Sequence, residues 1–172
     1  TLKAMRMIGE RLQQVFDANS GIEILIQGQQ AKRELLERFR EGSSQGRAAC
    51  VLVASASFWE GVDVPGDELA LVVIDKLPFP PPNDPLVEAR SKRLEAQGRS
   101  AFNDYFVPEA CVALKQGAGR LIRRETDVGL LMICDTRLTQ MGYGRRILAS
   151  LPPMRLLQSD DDLKQTLMMQ MA

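Results

Sequence analysis

The stretch Ala49-Cys50-Val51-Leu52-Val53-Ala54, at residues 49–54, is apolar at every position. A strand with one face in water alternates apolar and polar residues, whereas a strand that is covered on both faces is apolar throughout. Two further stretches have the same character: Leu69-Ala70-Leu71-Val72-Val73-Ile74 and Gly129-Leu130-Leu131-Met132-Ile133-Cys134. These three stretches predict strands that are covered on both faces of a sheet.

Helical patterns alternate with these strands. Apolar residues recur at steps of three and four in the first helix, at Leu2, Met5, Ile8, Leu12 and Val15. A short strand is predicted at residues 22–26, and helices are predicted at residues 31–41, from Pro85 onward, at 108–123 and at 143–150. Strands that alternate with helices predict an α/β fold, with a parallel sheet and helices on both faces.

The predicted elements extend over residues 1–153 as one domain. Residues 154–172 form a tail in which Ser159 is placed to cap a short helix that starts with three aspartates. The helical pattern begins at residue 2, so we expect the chain to be part of a longer protein.

Composition excludes several classes of chemistry. Lys plus Arg and Asp plus Glu both number 22, so nucleic-acid binding has to depend on local clusters of charge. The chain contains no histidine, which excludes Ser-His-Asp and Cys-His catalysis and most zinc sites. Its apolar runs are too short to span a membrane. We predict that the chain has no metal site and that it is located in the cytoplasm.

Residues 54–66 follow a predicted strand and read A-S-A-S-F-W-E-G-V-D-V-P-G. In parallel sheets, ligands bind at the carboxyl ends of the strands. Small hydroxyl residues donate hydrogen bonds, glycines allow close approach and carboxylates orient arginines or hydroxyls, as in loops that contact phosphate or sugar. An ordinary strand-to-helix connection remains the alternative, and Phe58 is expected to be a core aromatic.

Residues 116–124 read Q-G-A-G-R-L-I-R-R. On a helix, Gln116, Arg120 and Arg123 fall on one face, and paired arginines can clamp phosphoryl oxygens. Each glycine costs a helix about 1 kcal/mol relative to alanine, which points to close packing or an approaching ligand. A solvated face or a surface salt bridge is the alternative for the arginines.

In this order, the two segments resemble motifs V and VI of superfamily 2 helicases of the DinG/XPD group. Residues 57–63 match x-x-x-E-G-(I/V/L)-D, and residues 116–123 match Q-x-x-G-R-x-I-R. Residues 74–79 and 134–138 also resemble bacterial DinG-type proteins, particularly the YoaA-like branch. The resemblance implies a RecA-like second motor domain, with a further strand before the first helix that is either missing or upstream of Thr1.

The resemblance also implies roles for individual residues. Arg120 and Arg123 are the expected arginine fingers at the γ-phosphate of ATP, with Gln116 and Gly119 beside them. Glu60, Gly61 and Asp63 are expected to link the nucleotide to the DNA track. The expected contacts to single-stranded DNA are Ser55, Ser57 and, more weakly, Trp59.

The resemblance places the other half of the motor in a first RecA-like domain, which would hold the P-loop and Mg²⁺. Neither G-x-x-x-x-G-K-(S/T) nor D-E-x-H occurs in the chain. An iron–sulfur cluster is a feature of the family's first domain, and Cys50, Cys111 and Cys134 do not match its four cysteines.

The function predicted on this basis is an ATP-dependent 5′→3′ DNA helicase in repair or replication, inactive without its partner domain. Two alternatives stay open. One is a catalytically silent module that binds nucleic acid or docks a protein. The other is an unrelated nucleotide-binding enzyme of doubly wound fold, which is disfavoured because no glycine-rich loop follows an early strand. The proline-rich stretch at residues 78–85 is expected to form a rigid loop, with a polyproline II ligand for a partner as the alternative. Whether it contacts DNA, the partner domain or neither is left open by the sequence.

Overall fold

The computed structural model describes residues 2–17, 19–42, 49–58, 69–121 and 128–170. The chain divides into two compact units, Thr1–Leu69 and Ala70–Ala172. The first unit contains α1 (Leu2–Val15), β1 (Ile22–Ile26), α2 (Lys32–Arg40), β2 (Ala49–Val53) and a 3₁₀ turn at Ala56–Phe58. The second contains β3 (Leu71–Ile74), α3 (Pro85–Ala96), a π-helical segment (Phe102–Phe106), α4 (Val107–Ala118), β4 (Leu130–Ile133), α5 (Arg137–Gln140), α6 (Gly144–Ser150) and α7 (Asp160–Gln170).

In the first unit, β1 and β2 pair in parallel, from Ile22 opposite Ala49 to Ile26 opposite Val53. Successive side chains of a strand point to opposite faces of the sheet. Ile24 and Ile26 pack with Met5 of α1. Leu25, between them, packs instead with Leu35 and Leu36 of α2. The two helices therefore cover opposite faces of this sheet, as the sequence predicts.

Close packing fixes α1 against the sheet. A Cβ added at Gly9 would lie 2.5 Å from Cδ1 of Ile26, so a larger residue there would force the Ile26 side chain to shift. On the other face, Phe58 is 6% exposed and joins the α2 cluster, which confirms its prediction as a core aromatic.

In the second unit, β3 and β4 also pair in parallel, from Leu71 opposite Leu130 to Ile74 opposite Ile133. Its most deeply buried helix is α4, in which Val107, Ala110, Leu114 and Ala118 are fully buried. These positions recur at steps of three and four, so they form one inward face of the helix. α4 packs against the π-helical segment and against α6, where Ile147 is also fully buried.

The α/β fold with parallel strands is confirmed, and all four described strands coincide with predicted ones within two residues. In the part of the chain that the structure describes, these strands form two two-stranded sheets. The sequence did not predict the π-helical segment or α5, because segments of five and four residues are too short to give a periodic pattern.

The predicted helix at residues 108–123 is wrong at its C-terminal end, since α4 ends at Ala118. The last i−4 hydrogen bond runs from the amide of Gly119 to the carbonyl of Lys115. The amides of Arg120 and Leu121 instead donate to carbonyls three residues back, at Gly117 and Ala118. This tighter bonding is typical of a helix end.

Candidate functional site

The first candidate region is the carboxyl edge of the β1–β2 sheet. Gln27 directly follows β1, and its amide donates to the carbonyl of Val53 at 2.9 Å. Its side-chain Oε1 accepts two hydrogen bonds from Ser55, one from the amide at 2.7 Å and one from Oγ at 2.8 Å. Ser55, a predicted DNA contact, is therefore held by a residue that the sequence analysis did not select.

Lys32 and Phe58 extend this edge. Phe58 follows Ser55 by three residues, and its amide donates to the carbonyl of Ser55 at 2.9 Å. The ammonium of Lys32, at the start of α2, lies 4.9 Å from the centroid of the Phe58 ring. This geometry places a cation beside the loop that begins at Ser55.

Most of the predicted motif V lies outside the described residues. Ser57 belongs to the 3₁₀ turn, but its side chain is not described. Trp59, Glu60, Gly61 and Asp63 fall in residues 59–68, which are outside the described ranges. Their roles therefore stay predictions.

The predicted motif VI is described as far as Leu121. Gln116 is exposed on the last turn of α4, and Arg120 is half-buried in the turn that follows. At Gly119, an added Cβ would lie 3.1 Å from the carbonyl oxygen of Lys115, which leaves little room for a side chain. Because Arg120 lies beyond the helix end, it does not belong to a helical face with Gln116. Arg123 lies outside the described residues.

The carboxyl edge of the β3–β4 sheet carries a second polar centre. Asp135 accepts hydrogen bonds from the guanidinium of Arg137, including one from Nη2 at 2.6 Å. It also accepts from the amide of Leu77 at 2.9 Å and from that of Arg137 at 3.1 Å. The Asp135 side chain is 7% exposed, whereas that of Arg137 is 45% exposed.

These contacts shift both ionisable groups. The hydrogen bonds from Arg137 hold the pKa of Asp135 well below its usual range, with help from the Leu77 amide and against the opposing effect of burial. The same pairing raises the pKa of Arg137. An open pocket of about 480 Å³ lies beside the pair. Its lining residues are Asp75, Lys76, Cys134, Asp135, Thr136 and Arg137.

Aromatic rings surround the arginine of this pair. The guanidinium of Arg137 lies 5.4 Å from the centroid of the Phe79 ring. That ring contacts Phe102 at 5.7 Å and Tyr143 at 5.8 Å between centroids. In the sequence, residues 74–79 and 134–138 stand out only for their resemblance to DinG-type proteins. A further signal is that both segments directly follow predicted parallel strands, whose carboxyl ends meet.

The described side chains do not suggest a metal site. Within those ranges, no group of three or more Cys, Asp or Glu residues is arranged to hold an ion. The helices of these same ranges include none that is long and apolar enough to cross a bilayer.

Comparison with known proteins places this architecture in a family. Residues 1–154 match the family model described as the helicase C-terminal domain. The chain is 50% identical over 82% of its length to the ATP-dependent DNA helicase YoaA of Haemophilus influenzae, and covers 21% of that protein. It is 42% identical over 76% of its length to the ATP-dependent helicase DinG of Mycobacterium tuberculosis, and covers 19% of it.

A third relative is named for a different activity. It is the 3'-5' exonuclease DinG of Bacillus subtilis, 37% identical over 83% of the chain, which covers 15% of that protein. The chain thus spans about a fifth of the length of the YoaA relatives that it matches. The resemblance to DinG-type proteins is confirmed, and the chain belongs to the helicase C-terminal domain family.

Proposed function

We propose that this chain is the second motor domain of an ATP-dependent DNA helicase that moves 5′→3′ along single-stranded DNA. One observation carries the proposal. In a chain of the helicase C-terminal domain family, residues 116–123 read Q-G-A-G-R-L-I-R at the end of α4. Arginines at this point suit a motor that hydrolyses ATP between two domains.

In this proposal, Arg120 and Arg123 stabilise the negative charge that develops on the transferred phosphoryl group. Gln116 is exposed on the last turn of α4, where its carboxamide can orient the nucleotide. Gly119 is the proposed glycine beside Arg120 at which the nucleotide can approach the backbone closely.

The proposed link between ATP and DNA runs through residues 57–63. Glu60, Gly61 and Asp63 connect the nucleotide to the DNA track, with Asp63 bonded to an arginine or the ribose. Ser57 and Trp59 are the proposed contacts of this chain to single-stranded DNA, and Ser55 marks the sheet edge along which the strand is proposed to lie. Support for this edge comes from the position of Ser55 at the carboxyl end of β2, beside Lys32 and Phe58.

ATP is the proposed cofactor. Its hydrolysis to ADP and phosphate would allow the two motor domains to separate. A first RecA-like domain, the proposed partner, holds the P-loop and Mg²⁺. An iron–sulfur cluster would also belong to that domain. The residues of this chain fit such a division, since Gln116 and Arg120 supply hydrogen-bond donors and no P-loop sequence occurs.

The test is Arg123→Ala in the native polypeptide that contains this chain. DNA-stimulated ATP hydrolysis is expected to fall by about 10³-fold or more, as it does when an arginine finger is removed. Arg93→Ala, on the exposed side of α3, is the matched control and is expected to retain normal hydrolysis. A near-normal rate for Arg123→Ala would exclude the arginine-finger role.

A silent binding module is the second candidate, because the chain contains neither nucleotide-binding motif of a first motor domain. The salt dependence of binding distinguishes a module that binds nucleic acid from one that docks a protein. Binding to nucleic acid through phosphates weakens steeply as salt rises, whereas docking to a protein through apolar contacts does not.

A further inference from the structure

The hydrogen bonds between Gln27 and Ser55 use every donor of the serine. Ser55 has two donors, its amide and its hydroxyl, and both donate to Oε1 of Gln27, at 2.7 Å and 2.8 Å. To donate to a phosphate, Ser55 would have to break one of these bonds. Ser55 is therefore poorly placed to be the residue that donates to a ligand at this edge.

These bonds also fix the orientation of the Gln27 carboxamide. A backbone amide can only donate, so the terminal atom that faces Ser55 has to be the oxygen. Nε2 is then the other terminal atom, with two N–H donors. In the part of the chain that the structure describes, no acceptor lies within hydrogen-bond distance of Nε2.

The surroundings of Gln27 suit an anionic ligand. Gly28, the next residue, is exposed with φ of 95°, and a Cβ added there would meet nothing within 4 Å. The chain directly after Gln27 is thus open to solvent. The ammonium of Lys32 lies near Phe58, which hydrogen-bonds Ser55, so a cation lies beside the same loop. Amide donors and lysines together are typical of contacts to nucleic-acid phosphates.

We propose that Nε2 of Gln27, rather than Ser55, donates the hydrogen bond to a phosphate oxygen of single-stranded DNA at the carboxyl edge of the β1–β2 sheet. Ser55 is then a positioning residue, which holds the carboxamide in place through its amide and hydroxyl. The inference rests on the proposed function, since it names a DNA-contacting residue of the same motor domain.

Binding of oligo(dT) by the native polypeptide, without nucleotide, tests the assignment. Fluorescence anisotropy gives the affinity from about 50 to 200 mM salt. Gln27→Met keeps the side-chain length but removes the donors, and is expected to weaken binding about tenfold at every salt concentration. The slope of affinity against salt stays unchanged, because the donor that is lost carries no charge. Ser55→Ala and the exposed control Gln29→Met are expected to bind within about twofold of wild type, since the Ser55 amide still holds Oε1.

A further variant separates contact from structure. Gln27→Glu retains an acceptor for both Ser55 donors but has no N–H, so it keeps the link between the strand ends. Its thermal unfolding midpoint should match that of the wild type while its DNA affinity falls at least tenfold. Gln29→Glu adds the same charge two residues away and should weaken binding much less.

The possible failures can be told apart. If Ser55→Ala weakens binding tenfold while Gln27→Met and Gln27→Glu bind normally, Ser55 is the phosphate donor and the inference is overturned. If the wild-type polypeptide does not bind oligo(dT) at low salt, the proposed helicase function itself fails.

Discussion

The carboxylate of Asp135 connects several groups at the end of a strand. It follows β4, accepts hydrogen bonds from the amides of Leu77 and Arg137, and pairs with the Arg137 guanidinium. The amide of Leu77 belongs to the segment after β3, so this side chain joins the segments that follow two strands, although Leu77 and Asp135 are 58 residues apart in sequence. Its ionised form should therefore contribute to stability.

The first prediction concerns Asp135→Asn. Loss of the charged acceptor should lower the free energy of unfolding by about 1–3 kcal/mol at pH 7. Urea unfolding measures this difference. Asp161→Asn is the control, because the Asp161 side chain is 87% exposed and its lysine partner is 3.7 Å away. That substitution should change the free energy of unfolding by less than about 0.5 kcal/mol.

The pH dependence of stability provides a second, independent prediction. The pKa of Asp135 is lower in the folded protein than in the unfolded chain, so its contribution is complete above the unfolded value of about 4. It is lost as the pH falls from there toward the folded pKa. The advantage of wild type over Asp135→Asn should therefore begin to fall below about pH 4 and keep falling as the pH is lowered further. An advantage that stays the same from about pH 5 to pH 2 would contradict the pKa shift.

Some of these site residues could be predicted from the sequence, and others could not. The predicted site residues formed contiguous motifs such as 116–123, which a sequence displays directly. Gln27 belongs to no such motif, and its partner Ser55 lies 28 residues away. Only the parallel pairing of β1 and β2 brings the two together, so no local pattern could reveal the contact.

Individual elements have their own stabilising residues. Asp84 caps α3, since its side chain accepts hydrogen bonds from the amides of Leu86 at 2.8 Å and Val87 at 3.2 Å. Pro85 occupies the first turn, where the missing amide costs nothing. Asp84→Ala should therefore lower stability by about 1 kcal/mol, while Asp84→Asn, which can still cap, should retain most of it. Equal losses in the two variants, measured by thermal unfolding, would show that capping is not the cause.

The junction between α5 and α6 depends on Gly144. A Cβ added there would lie 1.9 Å from the carbonyl oxygen of Leu138, a backbone atom that cannot move aside. Gly144→Ala should therefore destabilise the protein by about 3 kcal/mol or more. At Gly142, two residues earlier, an added Cβ meets nothing within 4 Å, so Gly142→Ala should change stability by less than about 0.5 kcal/mol. Similar urea midpoints for the two variants would contradict this packing.

Elements with strong patterns were predicted well, and their ends less well. Apolar runs predicted β2, β3 and β4, the short strand at residues 22–26 was also predicted, and the helical patterns predicted α1, α2 and most of α4. The end of α4 was misplaced because residues 119–123 continue an apolar and basic pattern that a helix could accommodate. The observed end depends on i−3 hydrogen bonds at Arg120 and Leu121, which leave no mark on periodicity.

The charge of the whole molecule limits how it can bind DNA. The formal net charge is zero, with 22 basic and 22 acidic residues. Long-range attraction is therefore weak, and affinity has to come from a few local contacts such as those near Lys32. The logarithm of affinity for oligo(dT) plotted against that of salt should have a slope no steeper than about −3 per domain, or about four phosphates. A much steeper slope would indicate a larger basic surface than the described residues provide.

Side-chain alternation in β1 makes the first unit sensitive to the number of residues in that strand. Ile24 and Ile26 face α1, whereas Leu25 faces α2, and Glu23 pairs with Arg38 of α2. Deleting one residue within the strand would exchange the two faces for every position before the deletion. The Glu23 carboxylate would then be directed toward the apolar surface of α1, without its arginine. Single-residue insertions and deletions in β1 should therefore be far more damaging than changes of two residues, which restore the original faces.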